Sequence, residues 1–322
     1  NGGDMTAFAV MIARAYTNRK KIVLVSGYYH GVAPWMQKLG YSGVTEEDLA
    51  NNLYIDWNAP DQFEKLIKKY PGQIAGLIAT PYYHPTFVDN QLPPEGYWQK
   101  MRKLCDDNGI VLIFDDVRAG FRIDEKGSDY HYGIEADLSC FCKAIANGYN
   151  MSCICGKEKL KNATADIAYT GSYWLSAVPF AAGVATLRKA KATHAVEENA
   201  KKGRILTDGL KEVAKDNGFD LRVTGEPAMF YHPASGMGCG MRQARRVLHL
   251  APQPLHQLGS LSGRYAVHLG SRRRSVQDCQ GKPSRRELHQ VRTAIPRSRA
   301  DAACTDSNLK QRLCRFGTAF VR

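Results

Sequence analysis

The 322-residue sequence predicts an α/β fold of three layers, with a mostly parallel central sheet between two layers of helices. Three observations carry this. Helix and strand signals alternate along the first two-thirds of the chain. KIVLV (21–25), IAGLIA (74–79) and IVLIFD (110–115) are short, mainly apolar runs, as strands covered on both faces are. The segments between them carry helix start and stop signals.

Taken in order, residues 4–16 (DMTAFAVMIARAY) have helical apolar spacing, and KIVLV follows as a short strand. Asp61 to Tyr70 reads as a helix with Pro60 and Asp61 near its start. IAGLIA is a buried strand. PEGYWQKMRKLCDDNG is a helix stopped by Asn108-Gly109, and IVLIFD is the next buried strand. LSCFC (138–142) and SCICG (152–156) read as two more strands. Residues 178–216 are mainly helical. LRVT (221–224) and MFYH (229–232) read as strands of a smaller element. The expected division is a large domain over 1–190, the start of a small C-terminal domain over 191–236, and a tail over 237–322.

A hydrophobic share of 44% supports a sizeable core. No apolar run reaches the roughly eighteen residues of a membrane span, so no membrane partner is expected. The chain opens NGGDMTAF, almost directly in a helical pattern and without a leader, which reads as a fragment lacking its upstream part. Nine cysteines in a chain of this length fit reduced thiols and a cytoplasmic setting.

The net charge of +13 is unevenly spread. Residues 237–322 hold 15 Arg and 2 Lys against 4 acids, whereas residues 1–236 balance 27 bases with 27 acids. Lys/Arg usage also reverses, from 19 Lys and 8 Arg before residue 237 to 2 Lys and 15 Arg after it. The tail shows neither helical nor strand period. It reads either as a basic arm for nucleic acid or another polyanion, or as a shifted reading frame. The second reading is favoured, and translating the coding DNA in the other frames tests it.

Four features could carry chemistry. The strand IVLIFD ends in Asp115 and Asp116, and carboxylates at the carboxyl ends of parallel strands face the ligand crevice. A helix cap or turn acid is the plainer reading. Lys143 follows the apolar stretch LSCFC, 28 residues after Asp115. A desolvated lysine loses its proton more readily and can form a Schiff base, although a surface lysine is the plainer reading. Gly2 and Gly3 open a helix, where free N–H groups and the dipole suit a phosphate. YYHG (28–31) follows a strand, and an aromatic there can stack on a flat ring or simply pack a loop.

Together these features resemble the class III, fold-type I aminotransferases, and among them the glutamate-1-semialdehyde aminomutase-like branch. The resemblance lies in NGGDMTAFAVMIARAYTNRKKI, YYHG, LIFDDVRAGFR, ADLSCFCKAIANGY and TGSYWLSAVPFAAGVATL, and covers about residues 1–235. It implies the large domain of a pyridoxal-phosphate-dependent transferase. Lys143 would form the Schiff base and shuttle the proton, and Asp115 would pair with the pyridine nitrogen. Gly2 and Gly3 would hold the phosphate. Tyr29 would stack on the ring with His30 beside it, and Val117 would pack on the other face. Ser172 stands at the family's Thr, which reaches the neighbouring subunit's phosphate and so implies a homodimer.

The sequence departs from that pattern in places. Asp116 replaces a Glu, and Gly3 replaces a Ser or Thr with loss of one phosphate hydroxyl. TPYYHPTFVDN (80–90) stands where an E-P segment is usual, close to the cofactor's 3′-oxygen, with His84 and Asn90 as polar residues that could serve there. Trp174 and Ser176 lie where G-N-P is frequent. The tail begins where the small domain should continue, and in the family that domain contributes contacts to the substrate carboxylate.

Cys140, Cys142, Cys153 and Cys155 form two C-x-C pairs, not a C-x2-C zinc knuckle. Alternate strand residues share a face, so packing is the expected role and no metal is expected. The resemblance implies transfer of an amino group between an amine or amino acid and a keto acid or aldehyde. An aminomutase or racemase would use the same residues. Nucleic-acid binding rests on the tail alone and is the reading of another class.

Overall fold

The computed structural model describes residues 1–38, 40–85, 88–218 and 220–232. The tail expected over 237–322 lies outside the described residues.

Helix α1 (Gly2–Thr17) leads into strand β1 (Lys21–Val25). A short α2 (Glu46–Leu49) precedes β2 (Asn52–Ile55). Then α3 (Pro60–Lys69), β3 (Ile74–Ala79), α4 (Tyr97–Asn108) and β4 (Val111–Asp115) alternate. A turn of helix α5 (Ser128–His131) precedes the hairpin strands β5 (Leu138–Phe141) and β6 (Cys153–Gly156). Helices α6 (Lys161–Asp166), α7 (Ala177–Ala192) and α8 (Ala195–Asp216) complete the described part.

The sheet order is β2-β1-β3-β4-β5-β6, with every neighbouring pair parallel except β5–β6. This is the mostly parallel sheet expected from the apolar runs. Strand alternation sends Val23, Val25, Leu77, Leu112 and Phe114 to one face, where Phe63 of α3 and Trp98, Met101 and Cys105 of α4 cover them. Ile22, Leu24, Ile78, Ile113 and Leu138 go to the other face, under Ala9, Val10, Ile12 and Ala13 of α1. Burying each large aliphatic or aromatic side chain contributes about 1.5–3 kcal/mol.

Helix ends follow local chemistry. The Asn1 side chain accepts the Asp4 N–H, and the Asp4 carboxylate reaches back to Asn1. Pro60 opens α3 at its first position, where no N–H is needed. Gly109 ends α4 at φ +60°, a conformation that glycine adopts without steric cost.

Two details differ from the sequence expectation. The strand β2 was not foreseen. Residues 221–224 and 229–232 do not form a sheet: they meet through a single bridge, Thr224 to Tyr231, around a one-turn helix at Pro227–Met229. Pro227 has no N–H to give a ladder. Cys140 is buried under α1, where its thiol donates to the Met5 carbonyl (3.6 Å), and Cys153 packs against Phe141 and Ile145. Cys142 is half-buried and Cys155 exposed. No helix among the described residues is long and apolar enough to cross a membrane.

Candidate active site

In a parallel sheet all carboxyl ends lie on one edge, and the loops leaving them form a crevice. Here the loops after β1, β3, β4 and β5 meet the first turn of α1. They enclose a cavity of about 310 Å³ lined by Gly2, Gly3, Tyr28, Tyr29, His30, Thr80, His84, Asp115, Val117, Arg118 and Lys143, among others. Four strands and one helix end thus bring together residues up to 141 positions apart in the chain, from Gly2 to Lys143.

Asp115 is the last residue of β4 and is buried. Its Oδ1 accepts the Val117 N–H (3.2 Å), and its Oδ2 accepts from His30 Nδ1 (2.7 Å). That bond assigns the His30 proton to Nδ1. The other ring nitrogen, Nε2, is buried without a partner among the described residues. The neighbouring Asp116 faces elsewhere. Its carboxylate accepts the Ser128 N–H (2.8 Å) and the Ser128 hydroxyl, and burial pushes its carboxyl up to about 7. Of the two adjacent acids, only Asp115 lines the cavity.

Lys143 follows β5 at φ +45°, a left-handed conformation uncommon for a residue with a Cβ. Register sets its place: Asp115 pairs with Cys140 across β4 and β5, so the lysine stands three residues beyond the rung that holds the acid.

At the N-terminus of α1, Asn1 caps the Asp4 N–H, which leaves the Gly2 and Gly3 amides without intrahelical acceptors. The backbone is crowded there. A Cβ on Gly31 (φ +134°) would lie 2.9 Å from the Gly3 Cα, and one on Gly2 would lie 2.6 Å from Val117 Cγ1. The Thr6 hydroxyl lies within bonding reach of the carbonyl oxygens of Gly3 (3.0 Å) and His30, tying the helix end to the loop after β1. The helix end and the loop after β1 thus meet backbone to backbone, closer than a side chain at Gly31 would allow.

The sequence-predicted residues therefore separate into two groups. Gly2, Gly3, Tyr29, His30, Asp115, Val117 and Lys143 line one cavity. Tyr29 does so with 69% of its surface exposed, while Tyr28 is buried against Trp57, Tyr83 and His30. Ser172 does not join them. It lines a wide open cleft of about 1260 Å³ with Tyr149, Tyr169 and Trp174, which Lys143 also borders. Sequence reasoning passed over Tyr28, Thr80 and Arg118. No local pattern singles out the last, which stands two residues past the acid pair, between Val117 and Ala119.

The arrangement offers a carboxylate for a cation, amides for an anion and an amine for a carbonyl carbon, all in one cavity. Among the described residues there is no group of three or more His, Cys, Asp or Glu placed to hold a metal.

The comparisons with known proteins agree with this geometry. The chain is 40% identical over 229 residues to the aminopentol aminotransferase of Sphingopyxis macrogoltabida, covering 71% of this chain and 54% of that protein. It is 32% identical over 241 residues to the glutamate-1-semialdehyde 2,1-aminomutase of Natranaerobius thermophilus, covering 69% and 55%. The structure of the PLP internal aldimine form of the FumI protein of Sphingopyxis sp. MTA144 superposes with a TM-score of 0.70 at 39% identity, covering 72% of this chain and 56% of that one. The chain thus spans a little over half the length of these relatives. Their family model, aminotransferase class-III, matches residues 2–231, and the chain belongs to that family.

Proposed function

We propose that the chain is the cofactor-binding part of a pyridoxal-phosphate-dependent aminotransferase, which moves an amino group between an amine or amino acid and a keto acid or aldehyde. The observation that carries this is the single cavity shared by Asp115, Lys143 and the Gly2-Gly3 helix end. The residues fit the cofactor. Gly2 and Gly3 line the cavity at the start of α1, and their amides lack intrahelical acceptors, as an anchored phosphate requires. The buried Asp115, held by His30 and the Val117 N–H, is matched to a protonated ring nitrogen.

When bound, pyridoxal phosphate supplies an electron sink for the carbanion at the substrate Cα. The protein's residues do the rest. Lys143 would hold the cofactor through its amine and would move a proton at the substrate Cα. Asp115 would pair with the ring nitrogen and favour its protonated form. The α1 amides and dipole anchor the phosphate. Val117 and the tyrosines of the loop after β1 line the same cavity and would pack against the bound cofactor.

Two finer readings accompany this one. The open cleft bearing Ser172, with Tyr173 and Leu175 almost fully exposed, supports a homodimer in which Ser172 reaches the partner's phosphate. Cysteine usage supports the cytoplasm.

An absorbance scan of the full chain with added pyridoxal phosphate tests the reading. A near-visible band that disappears in Lys143→Ala supports it. Cofactor binding with no Lys143-dependent band would sink it. Release of a keto product without return of the amino group separates transfer from mutase or racemase chemistry.

A further inference from the structure

We propose that Asn90 is a positioning residue for the cavity: with Tyr82 it hangs the loop after β3 on the Met229 carbonyl, so that the segment 224–231 sets where His84 stands. The inference rests on the aminotransferase reading only for the choice of pyridoxal phosphate as a probe.

The sequence singles out His84 and Asn90 as polar residues of one loop, and the structure turns them to different partners. His84 lines the cavity beside Thr80 and Pro85, whereas Asn90 does not line it. Asn90 is buried, and both its N–H and its side chain turn to the C-terminal segment. The N–H donates to the Thr224 hydroxyl (3.0 Å), and Nδ2–H donates to the Met229 carbonyl (3.3 Å). The Tyr82 hydroxyl donates to that same carbonyl (3.4 Å). The two feet of the loop thus share one acceptor. Between them Tyr83 and Gln91 exchange backbone bonds of 2.9 and 2.8 Å. The fit is close: a Cβ on Gly225 (φ +91°) would lie 2.4 Å from Asn90 Nδ2.

The segment is itself held. Glu226 accepts from the Tyr132 hydroxyl (3.3 Å) and pairs with His131 Nε2 (3.4 Å), and Thr224 bridges to Tyr231. From this floor the contacts run to the cavity without a gap. The Tyr82 ring meets the His84 ring edge-on, 4.8 Å between centroids. The Met229 side chain packs against Tyr82 and Ala119. Arg118, next to Ala119, donates to the His84 carbonyl (3.0 Å). Interiors packed in this way pass a displacement on instead of absorbing it. Loosening Asn90 therefore loosens the wall that His84 forms.

Amide hydrogen exchange on the full chain, with a pyridoxal-phosphate titration of the same samples, tests this. In Asn90→Ala the Tyr83 and Gln91 amides should exchange about fivefold faster and the cofactor should bind about fivefold more weakly, the worth of one buried hydrogen bond. Thr224→Val, on the far side of the contact, should repeat both effects, and the double variant should fall short of the product of the two. Ile74→Val is the control, since it removes a core methyl at the opposite end of β3 and should leave affinity unchanged. An affinity loss in Ile74→Val equal to that in N90A overturns the proposal, because general stability would explain both. So does unchanged exchange in N90A, or faster exchange with unchanged affinity. Should N90A fail to fold, Tyr82→Phe, which takes one hydroxyl from the same carbonyl, decides by the same two readouts. A wild type that binds no pyridoxal phosphate sinks the aminotransferase reading, and exchange in N90A and T224V then decides the positioning by itself.

Discussion

His30 Nδ1 lies 2.7 Å from Asp115 Oδ2, both side chains almost wholly buried, joining residues 85 positions apart. The pair fixes the orientation of the one acid in the cavity. His30→Phe keeps the ring volume and removes the donor. It should cost about 1.5–3 kcal/mol in urea denaturation, because a bond to a charged group is lost and the carboxylate stays buried. Cofactor affinity should fall with it, and His30→Gln should recover part of both. Unchanged denaturation and unchanged affinity in H30F would show that the bond positions nothing.

Gly2 and Val117 form a second coupled pair. An added Cβ on Gly2 meets Val117 Cγ1 at 2.6 Å and Cγ2 at 2.8 Å. Gly2→Ala should destabilise by about 1–3 kcal/mol, the usual range for overpacking. Val117→Ala removes both methyls, so the double variant should be more stable than the sum of the single effects by about 0.5 kcal/mol or more. A four-point cycle of urea midpoints measures this, and strict additivity would contradict the contact.

The left-handed backbone at Lys143 gives a third prediction. Substitutions that keep a Cβ keep the strain, of order 1 kcal/mol. Lys143→Gly should therefore melt above Lys143→Ala, the reverse of their usual order inside a helix. Equal or inverted melting temperatures would count against the φ of +45°.

Asp116 predicts a pH dependence. Burial raises its carboxyl in the folded state to about 7, with the Ser128 bonds pulling the other way and Asp129 and Asp115 adding to the rise. The unfolded carboxyl titrates near 3.9. Between about pH 4 and pH 7 the folded state thus binds the extra proton. The contribution of Asp116 to stability is fullest below about 4 and is lost as pH rises through 7, by at most about 1.4 kcal/mol per unit. Asp116→Asn has no such proton. Denaturation at pH 5, 6, 7 and 8 should show the variant gaining on wild type as pH increases; a constant difference would refute the assignment.

Phe114 tests the core beneath the site. It is fully buried on β4 with its ring 4.5 Å from that of Trp98. Phe114→Ala should cost about 3–5 kcal/mol in denaturation and loosen Asp115, its neighbour in the strand.

The frame was legible because its signals are local. Short, mainly apolar runs at 21–25, 74–79 and 110–115 fit strands with two covered faces, and α4 announces its end at Asn108-Gly109. The strand β2 was not legible. NLYI pairs only with β1, at the sheet edge, its burial is uneven, and it shows neither clean alternation nor a full apolar run. In the site, Asp115, Lys143 and the two glycines stood out because their chemistry is distinctive. The aromatic pair did not resolve: Tyr28 and Tyr29 are adjacent in a loop, and no period states which side chain is buried. Arg118 became visible only when the loop after β3 brought His84 against it. Contacts of that kind depend on where separate loops end, which local pattern does not encode.

The rung joining Asp115 to Cys140 changes what the spacing of acid and lysine means. Their separation in space is set by a backbone ladder between neighbouring strands, and the residues between them are only a tether. Chain length is therefore free to vary at the exposed Glu125-Lys126 turn without moving either reactive group. Slipping β5 against β4 by a single residue would do what no such insertion does: it would turn the strand over and carry Lys143 to the wrong side of the sheet.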